Sequence, residues 1–283
     1  MTQLTWLITG CSSGFGEALV LALTSRGDRV IATARKLEEI EHLKGDSVHT
    51  IKLDITSPQN EIDDVVLEAQ KAFGGIDVLV NNAGYILGGP LEQVSGEKFL
   101  EVYRNNVVGT VNVIRGIMPH FRTKKSGLVI FMGSQSGWKG DLGATPYNAT
   151  KFALEGIYEG FQEEAELFGI QTIIIEPGYF RTKIFDPSNI VIDVLPNEAY
   201  KEVNEGMQKL AQAVNGNQPG DPKKAAERII DVVRSEGMAV GRTLPKRLPL
   251  GQDSLADIRK KCTETLKICD EWGELISSTD FDA

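Results

Sequence analysis

Two residues on one predicted helix have the types and the spacing for proton transfer. In TPYNATKFAL, residues 145–154, Pro146 is typical of a first helical turn, because its ring presets φ and the N–H it lacks has no partner there. Tyr147 and Lys151 then lie four residues apart, so their side chains share one face of the helix. A nearby cation favours the phenolate and should lower the phenol pKa from its reference value of about 10. The alternative is a surface arrangement in which a lysine stem packs beside a tyrosine.

Such a pair can act only where a fold holds it beside a ligand, and the surrounding pattern indicates the fold. Short apolar segments recur along the chain, each followed by a helical pattern. The predicted strands cover residues 4–9, 29–34, 48–53, 77–82, 127–133 and 170–178. The predicted helices cover residues 16–27, 61–74, 97–121, 145–168, 222–236 and 253–276. This alternation predicts an α/β fold, a doubly wound parallel β-sheet with helices on both faces, in a single domain over residues 1–283.

The polar and glycine-rich segments fall at the carboxyl ends of the predicted strands. In strand order they are TGCSSGFG, Arg35, Asp54, NNAG, Ser134 and PGYFRT. Ligands of a doubly wound sheet bind in the crevice outside those ends. We therefore expect segments that are distant in sequence to converge on one rim.

The turn after the first strand contains Gly10, Gly14 and Gly16, spaced G-x-x-x-G-x-G. Gly10 permits a tight turn, Gly14 lets the backbone approach a pyrophosphate, and Gly16 allows the helix to pack close to the strand. The helix N-terminus then presents free N–H groups and a positive dipole end to phosphate. The alternative is an ordinary glycine turn, but its place after the first strand favours a dinucleotide-phosphate site.

The end of the second strand indicates which dinucleotide would bind. A carboxylate there would accept a hydrogen bond from a ribose 2′-hydroxyl, whereas an arginine accommodates a 2′-phosphate. The segment IATAR ends on Arg35 and contains no acidic residue, and Ser12 can add a hydroxyl. We therefore predict NADP(H) as the cofactor. The alternative is that Arg35 is a solvated loop charge.

Six motifs, in this order, resemble those of the short-chain dehydrogenase/reductase (SDR) family. They are TGCSSGFG (9–16), NNAG (81–84), NVVG (106–109), Ser134, YNATK (147–151) and PGYFRT (177–182). The match extends to about residue 182 and implies a Rossmann fold. The glycine turn and ATAR (32–35) are similar to the 17β-hydroxysteroid and retinol dehydrogenase branch. The C-terminal part departs from the best-known members, so the branch does not fix the substrate.

The resemblance also implies a role for each matching residue. Tyr147 would be the proton donor, Lys151 its activator and a ribose anchor, and Ser134 the hydroxyl that orients the carbonyl. Asn106 would hold a relay water, although a buried amide that ties helix to sheet is the alternative, and Asn105 beside it leaves the register open. The implied cofactor-binding residues are Gly10, Ser12, Ser13, Gly14, Phe15, Gly16, Asp54, Asn82, Ala83, Gly84, Pro177, Gly178 and Thr182. Among them Asp54 would lie near the adenine and Thr182 near the nicotinamide carboxamide.

The chemistry expected from these residues is hydride transfer between a nicotinamide and a carbonyl carbon, with the protein supplying position, charge and a proton. The nearby loops carry bulky apolar side chains, including Trp138, Tyr179, Phe180 and Phe185, which suit a hydrophobic ketone or aldehyde. Core or lid packing is the alternative for several of them. Residues 183–220 contain several prolines, asparagines and glycines, and we expect them to form a lid over the substrate.

The composition excludes several other classes of protein. The formal net charge is −9, from 30 Lys+Arg against 39 Asp+Glu, and no basic run is long enough to follow a nucleic acid. The three cysteines are too few for a disulfide framework, and the three histidines form no metal-ligand pattern. The first residues lack a signal-peptide pattern, and no apolar stretch reaches membrane-spanning length. We therefore expect a cytoplasmic protein.

The predicted helices 97–121 and 147–168 are apolar over more than one face. One face covers the sheet, and the other suggests a subunit interface, so we expect a homodimer, with a homotetramer as the alternative. The functional alternative to an NADPH-dependent reductase is an NADP(H)-sensing binding protein that has the fold but no turnover. A structural scaffold would leave the glycine turn unexplained.

Overall fold

The computed structural model describes residues 2–186 and 189–281. Its centre is a sheet of seven parallel strands: β1 Thr5–Ile8, β2 Arg29–Ala34, β3 Val48–Lys52, β4 Val78–Asn81, β6 Leu128–Met132, β7 Gln171–Pro177 and β9 Arg247–Leu250. Two shorter strands, β5 Ile86–Gly88 and β8 Ile190–Ile192, form a separate parallel pair. The seven strands of the sheet lie in the order β3-β2-β1-β4-β6-β7-β9. The predicted doubly wound fold is confirmed.

Helices cover both faces of the sheet because successive strand residues point to opposite sides. Trp6 and Ile8 join the apolar cluster on one face, while Leu7 between them joins the cluster on the other. The helices are α1 Gly14–Ser25, α2 Gln59–Phe73, α3 Gly96–Tyr103, α4 Gly109–Lys124, α5 Thr145–Glu166, α6 Lys201–Val214, α7 Pro222–Arg234 and α8 Gln252–Ser277. The first cluster draws on α1 and α7, and the second on α2, α4 and α5. Within the described ranges, no helix is both long and apolar enough to span a bilayer.

The predicted helix 97–121 is interrupted in the structure. A π-helical turn, Arg104–Val108, separates α3 from α4. Such turns insert one residue into a helix and often occur at functional sites. The apolar periodicity continues through the insertion, so the sequence pattern gave no sign of it.

The strand β9 was not predicted. It pairs in parallel with β7 and places Pro249 opposite Glu176. Proline lacks a backbone donor and is confined to positions such as sheet edges, where β9 lies. With four residues and a proline, the segment lacks the usual strand signal.

Residues 183–220, the predicted lid, are attached to the domain at several points. Strand β8 pairs with β5, the Gln93 amide donates to Leu195 O (2.8 Å), and Arg181 Nη2 donates to Gln218 O (3.1 Å). The helix α6 within this segment has no buried residue. Pro187 and Ser188 of the predicted lid lie outside the described residues.

Candidate active site

The carboxyl ends of the central strands surround a cleft of about 710 Å³. Of the predicted site residues, those that line it are Gly10, Ser12, Ser13, Gly14, Phe15, Arg35, Asn82, Ala83, Gly84, Ser134, Tyr147, Lys151, Pro177, Gly178, Tyr179, Phe180, Thr182 and Phe185. Those that do not are Gly16, Asp54, Asn106 and Trp138. The structure therefore brings most of the six sequence segments to one rim.

The turn between β1 and α1 depends on its glycines. Gly10 has a φ of +72°, and a Cβ added to it would lie 2.9 Å from Ala83 Cα. Gly16 lies inside α1 rather than on the cleft wall, and a Cβ there would overlap Gly10 O. Its contribution is close packing, as its place in the motif predicts. Asn82 Nδ2 donates to both Thr9 O and Gly10 O at 2.9 Å and so fixes the turn from β4.

The end of β2 presents positive charge to the cleft. Arg35 is exposed and lines it, as does Lys36, which forms an ion pair with Glu39 (3.5 Å). Two other residues of the cleft wall lie close together, with His42 Nε2 3.3 Å from Glu17 Oε1. Asp54 does not line the cleft: its Oδ1 accepts from Thr56 N (2.9 Å) and Thr56 Oγ1 (2.7 Å), while its neighbours Leu53 and Ile55 do line it.

Ser134, Tyr147 and Lys151 meet at the centre of the cleft. Ser134 follows β6, and its Oγ accepts from Ser136 N (3.1 Å), which orients the hydroxyl. Tyr147 and Lys151 lie on the first turns of α5, and Lys151 Nζ is 5.6 Å from the Tyr147 ring centroid. Lys151 is buried and donates to Met132 O at 2.8 Å. The cleft therefore contains a hydroxyl, a phenol and an ammonium group close together.

The protein around Tyr147 and Lys151 favours the neutral form of both. Burial raises the pKa of Tyr147 to about 12, although a hydrogen bond with Ser134 acts in the opposite direction. The prediction that the Tyr147 pKa lies below its reference value is therefore wrong for the chain alone, because desolvation by burial is the largest influence on it. Burial likewise lowers the pKa of Lys151 to about 8, and the nearby Glu155 opposes that shift.

Asn106 lies in the π-helical turn with its amide fully hydrogen-bonded. Its Nδ2 donates to Tyr85 O (2.9 Å) and Thr150 Oγ1 (3.2 Å), and its Oδ1 accepts from Tyr85 N (3.1 Å) and Asn105 Nδ2 (2.9 Å). An amide has two donors and two principal acceptor sites, so the Asn106 side chain has none left for a relay water. The structure thus matches the alternative interpretation, an amide that holds the turn to α5 and to the strand-four loop. It is Asn105 that lines the cleft.

Aromatic side chains from the segment after β7 form a wall of the cleft that packs against the glycine turn. Tyr179 and Phe185 stack with centroids 5.8 Å apart, and Phe180 packs on Phe15 at 5.1 Å. Thr182 lies against Gly14, since a Cβ added to Gly14 would be 3.1 Å from Thr182 Cβ. Tyr85 and Ile184 complete this apolar region.

Trp138 points away from the cleft, so its predicted position in the substrate pocket is wrong. Its Nε1 donates to Glu176 Oε1 (2.9 Å), and the Arg247 guanidinium lies 5.1 Å from its ring centroid. Arg247 also pairs with Glu176 (2.6 Å), with Glu159 (2.7 Å) and with Glu155. Sequence reasoning missed this cluster. Glu155 could have been found from the sequence, because it follows Lys151 by four residues and so shares its helix face. Nothing in the sequence pointed to Arg247.

Comparison with known proteins places the chain in a family. Residues 5–190 match the family model described as short chain dehydrogenase. The uncharacterized oxidoreductase YusZ of Bacillus subtilis is 34% identical over 240 residues, covering 81% of this chain and 84% of that protein. Oxidoreductase BOA17 of Botryotinia fuckeliana is 32% identical over 280 residues, covering 97% and 98%. The chain therefore belongs to the short-chain dehydrogenase/reductase family and is an oxidoreductase.

Solved structures agree with this assignment. A short-chain dehydrogenase from Streptomyces avermitilis has a TM-score of 0.86 and 34% identity, and the match covers 99% of this chain and 100% of that one. A Burkholderia cenocepacia short chain dehydrogenase in complex with NADP (TM-score 0.72, 20% identity, 95% and 97% covered) shares the fold. So does a Burkholderia phymatum enzyme in complex with NAD (TM-score 0.78, 20% identity, 96% and 95% covered).

Proposed function

We propose that the protein is an NADPH-dependent oxidoreductase that transfers a hydride to a hydrophobic ketone or aldehyde and catalyses the reverse alcohol oxidation. The observation that carries the proposal is the meeting of Ser134, Tyr147 and Lys151 in the cleft that the glycine turn opens into. Neither a binding protein without turnover nor a scaffold requires a phenol and an ammonium group held beside an orienting hydroxyl.

The residues around the cleft fit a dinucleotide. Gly10, Ser12, Ser13 and Gly14 line the cleft where α1 begins, so a pyrophosphate can reach the helix N-terminus. Lys151 and Thr182 would contact the ribose and nicotinamide end. When bound, the cofactor supplies the hydride. The cleft volume of about 710 Å³ is within the ordinary range for ligand sites.

Tyr147 acts as the general acid in reduction. Its raised pKa, about 12, keeps the phenol protonated at neutral pH. As the carbonyl carbon receives hydride, its oxygen becomes an alkoxide and takes the Tyr147 proton, which gives the alcohol and a phenolate. Ser134 donates a hydrogen bond to the same oxygen and orients it. Protonated Lys151, 5.6 Å from the phenol ring, stabilises the phenolate that remains.

Arg35 supports the preference for the phosphorylated cofactor. It is exposed at the end of β2 and lines the cleft where a ribose 2′-phosphate would lie. The fold does not decide between the two dinucleotides, because one structural neighbour holds NADP and another NAD. The charge of Arg35 is therefore the feature on which the NADP(H) assignment depends.

The substrate class follows from the apolar wall formed by Tyr179, Phe180 and Phe185. A carbonyl compound with an apolar body would pack on these rings with its oxygen directed at Ser134 and Tyr147. The resemblance to the 17β-hydroxysteroid and retinol dehydrogenase branch is compatible with such a substrate. Trp138, which bonds to Glu176, takes no part.

The protein is further proposed to work in the cytoplasm as a homodimer or homotetramer. The cysteines Cys11, Cys262 and Cys269 are all free, in keeping with a reducing compartment. Phe152 on α5 and Val108 beside α4 are exposed on the faces expected to pair.

The test is a panel of ketones, aldehydes and alcohols followed by NADPH absorbance, with wild type and Tyr147→Phe side by side. Wild type should reduce apolar carbonyl compounds. Tyr147→Phe should lose about 10³-fold in kcat while it keeps NADPH affinity, because only the proton donor is removed. Tyr179→Phe, a second tyrosine of the cleft, is the matched control and should retain turnover. An active Tyr147→Phe enzyme would exclude this mechanism, and wild type that binds NADPH without any turnover would favour the binding protein.

A further inference from the structure

Among the residues that the structure describes, the helix α8, Gln252–Ser277, contacts the rest of the domain only through its first turns. Ser254 Oγ donates to Glu176 O (2.7 Å), Asp253 Oδ2 accepts from Tyr179 N (2.6 Å), and Asp257 pairs with Lys139 (2.9 Å). Ser254 is the one buried residue of the helix. Beyond residue 258 every position is exposed except the half-buried Gly273. About 19 residues of helix, roughly 28 Å, therefore extend into solvent.

This extended part is amphipathic. Cys262, Leu266, Cys269, Trp272 and Ile276 follow one another at intervals of four, three, three and four residues, which places them on one face. We call these five residues the α8 stripe. Leu266 is 65% exposed and Trp272 is 54% exposed, and no described residue covers them. Isolated helices of this length are marginal in water, so a covered apolar face is what stabilises them.

Two charges border the stripe on the same side. Arg259 and Asp270 are eleven residues apart, close to three helical turns, so they share one edge of the helix, about 17 Å apart along its axis. In the described part of the chain neither side chain forms an ion pair, whereas Lys260 and Lys267 pair with Glu264 (3.9 Å) and Glu271 (3.4 Å) on the outer face. The edge therefore has a free positive charge near its start and a free negative charge further along.

We propose that the α8 stripe packs along α8 of a second copy of this chain in antiparallel orientation. A two-fold axis midway between these two residues, close to Leu266, would bring Arg259 of each copy beside Asp270 of the other, so both free charges acquire partners at once. A parallel arrangement would instead set the basic segment 259–261 of one copy beside the same segment of the other, where like charges repel. The acidic residue Asp270 beside the stripe, with Glu264, Glu271 and Glu274 on the rest of the helix, disfavours an anionic lipid surface.

The first test compares Leu266→Glu with Leu21→Glu by sedimentation velocity over a range of concentrations. Leu21 on α1 is 53% exposed and serves as the matched control. Leu266→Glu should halve the mass of the wild-type particle, by raising the dissociation constant of this interface roughly 30-fold or more, and Leu21→Glu should not change it. Both sites are exposed, so circular dichroism should show unchanged folding. Equal masses for wild type and Leu266→Glu would overturn the proposal.

The second test determines the orientation of the two helices. In an antiparallel pair Arg259→Glu faces Asp270 of the partner and should weaken association roughly 10-fold, and adding Asp270→Arg should restore it. In a parallel pair Arg259→Glu would instead relieve repulsion and strengthen association, which would contradict the proposed orientation. If wild type sediments as a monomer and binds vesicles of phosphatidylcholine and phosphatidylglycerol in a Leu266-dependent manner, the stripe is a membrane-binding surface and the proposal fails.

Discussion

At the scale of single residues, the cleft combines a phenol that stays protonated with an ammonium group that is close to losing its proton. Burial accounts for both, since it raises the pKa of Tyr147 to about 12 and lowers that of Lys151 to about 8. Lys151 stabilises the phenolate only while it is protonated. Activity should therefore fall as the pH rises above about 8.

Glu155 provides a test of this pH limit. It follows Lys151 by one turn of α5 and raises the pKa of that lysine. Glu155→Gln should therefore move the alkaline fall of kcat/KM to lower pH, which pH–rate profiles with NADPH would measure. Glu159→Gln is the matched control, because Glu159 also pairs with Arg247 but is solvent-exposed. If both variants titrate like wild type, Lys151 does not set the alkaline limit.

Arg35 determines the expected cofactor preference. Arg35→Asp should raise KM for NADPH at least about 10-fold, since a carboxylate would repel the 2′-phosphate, and should leave KM for NADH almost unchanged. Steady-state kinetics with both cofactors would measure the difference. Lys44→Asp, which introduces the same charge change at an exposed lysine outside the cleft, controls for the general field of the protein. Equal effects of Arg35→Asp on KM for both cofactors would contradict the NADP(H) assignment.

At the scale of elements, Arg247 on β9 connects α5, β7 and the loop after β6. It pairs with the buried Glu155 and Glu176, and it lies over the Trp138 ring. Arg247→Met leaves two buried carboxylates without their cation, so we expect a loss of roughly 2–4 kcal/mol in the free energy of unfolding at pH 8. Arg122→Met, which removes an exposed arginine stacked on Phe168, should cost little.

The loss caused by Arg247→Met should depend on pH. Burial and the nearby Glu176 raise the pKa of Glu155 to about 7, above its unfolded value, so the folded chain binds an extra proton between the ordinary carboxyl range and pH 7. The stabilisation that this extra proton on Glu155 gives to the folded chain is present at low pH and is lost as the pH rises through about 7. Removing Arg247 raises this pKa further, so the deficit should be smaller at pH 5 than at pH 8. Urea unfolding at both values measures it, and a pH-independent deficit would contradict the assignment.

The same elements show how far the sequence could predict the structure. The six apolar strands were predictable because both faces of a parallel sheet are buried, which leaves continuous β-branched runs such as IQTIII (170–175). The strand β9 was not, since Arg247–Leu250 is short, contains a proline and owes its place to pairing with β7. The π-helical turn was equally hidden, because an inserted residue leaves the local composition unchanged.

Within the site, motif and strand-end position predicted which segments meet, but not the direction of each side chain. Trp138 lies close in sequence to Ser134 yet turns to Glu176, because an indole N–H near a buried carboxylate donates to it. The Tyr147 pKa was mispredicted for a related reason. Helical spacing gives the distance to a charge, whereas desolvation depends on packing from elements far along the chain.

At the scale of the whole molecule, the segment predicted to be a lid, residues 183–220, has limited attachments to the rest of the domain. Lys183, Ile184 and Phe185 line the cleft, and β8 pairs with β5 beside Tyr85. The helix α6 buries none of its side chains, and Leu210 on it is 59% exposed. Elements with little buried surface open at low free-energy cost. We therefore expect proteases to cut α6, which lies between the attachments at Leu195 and Gln218.

Binding of cofactor and substrate should close this segment. NADPH together with the best carbonyl compound from the panel should slow cleavage within residues 201–214 several-fold, because contacts with Ile184 and Phe185 remove the open state that the protease requires. Limited proteolysis followed by mass spectrometry would locate the cuts. Cleavage in the exposed end of α8, which lies outside the cleft, serves as the internal control and should keep its rate. Unchanged cleavage within 201–214 would show that the segment is a fixed wall of the cleft and not a lid.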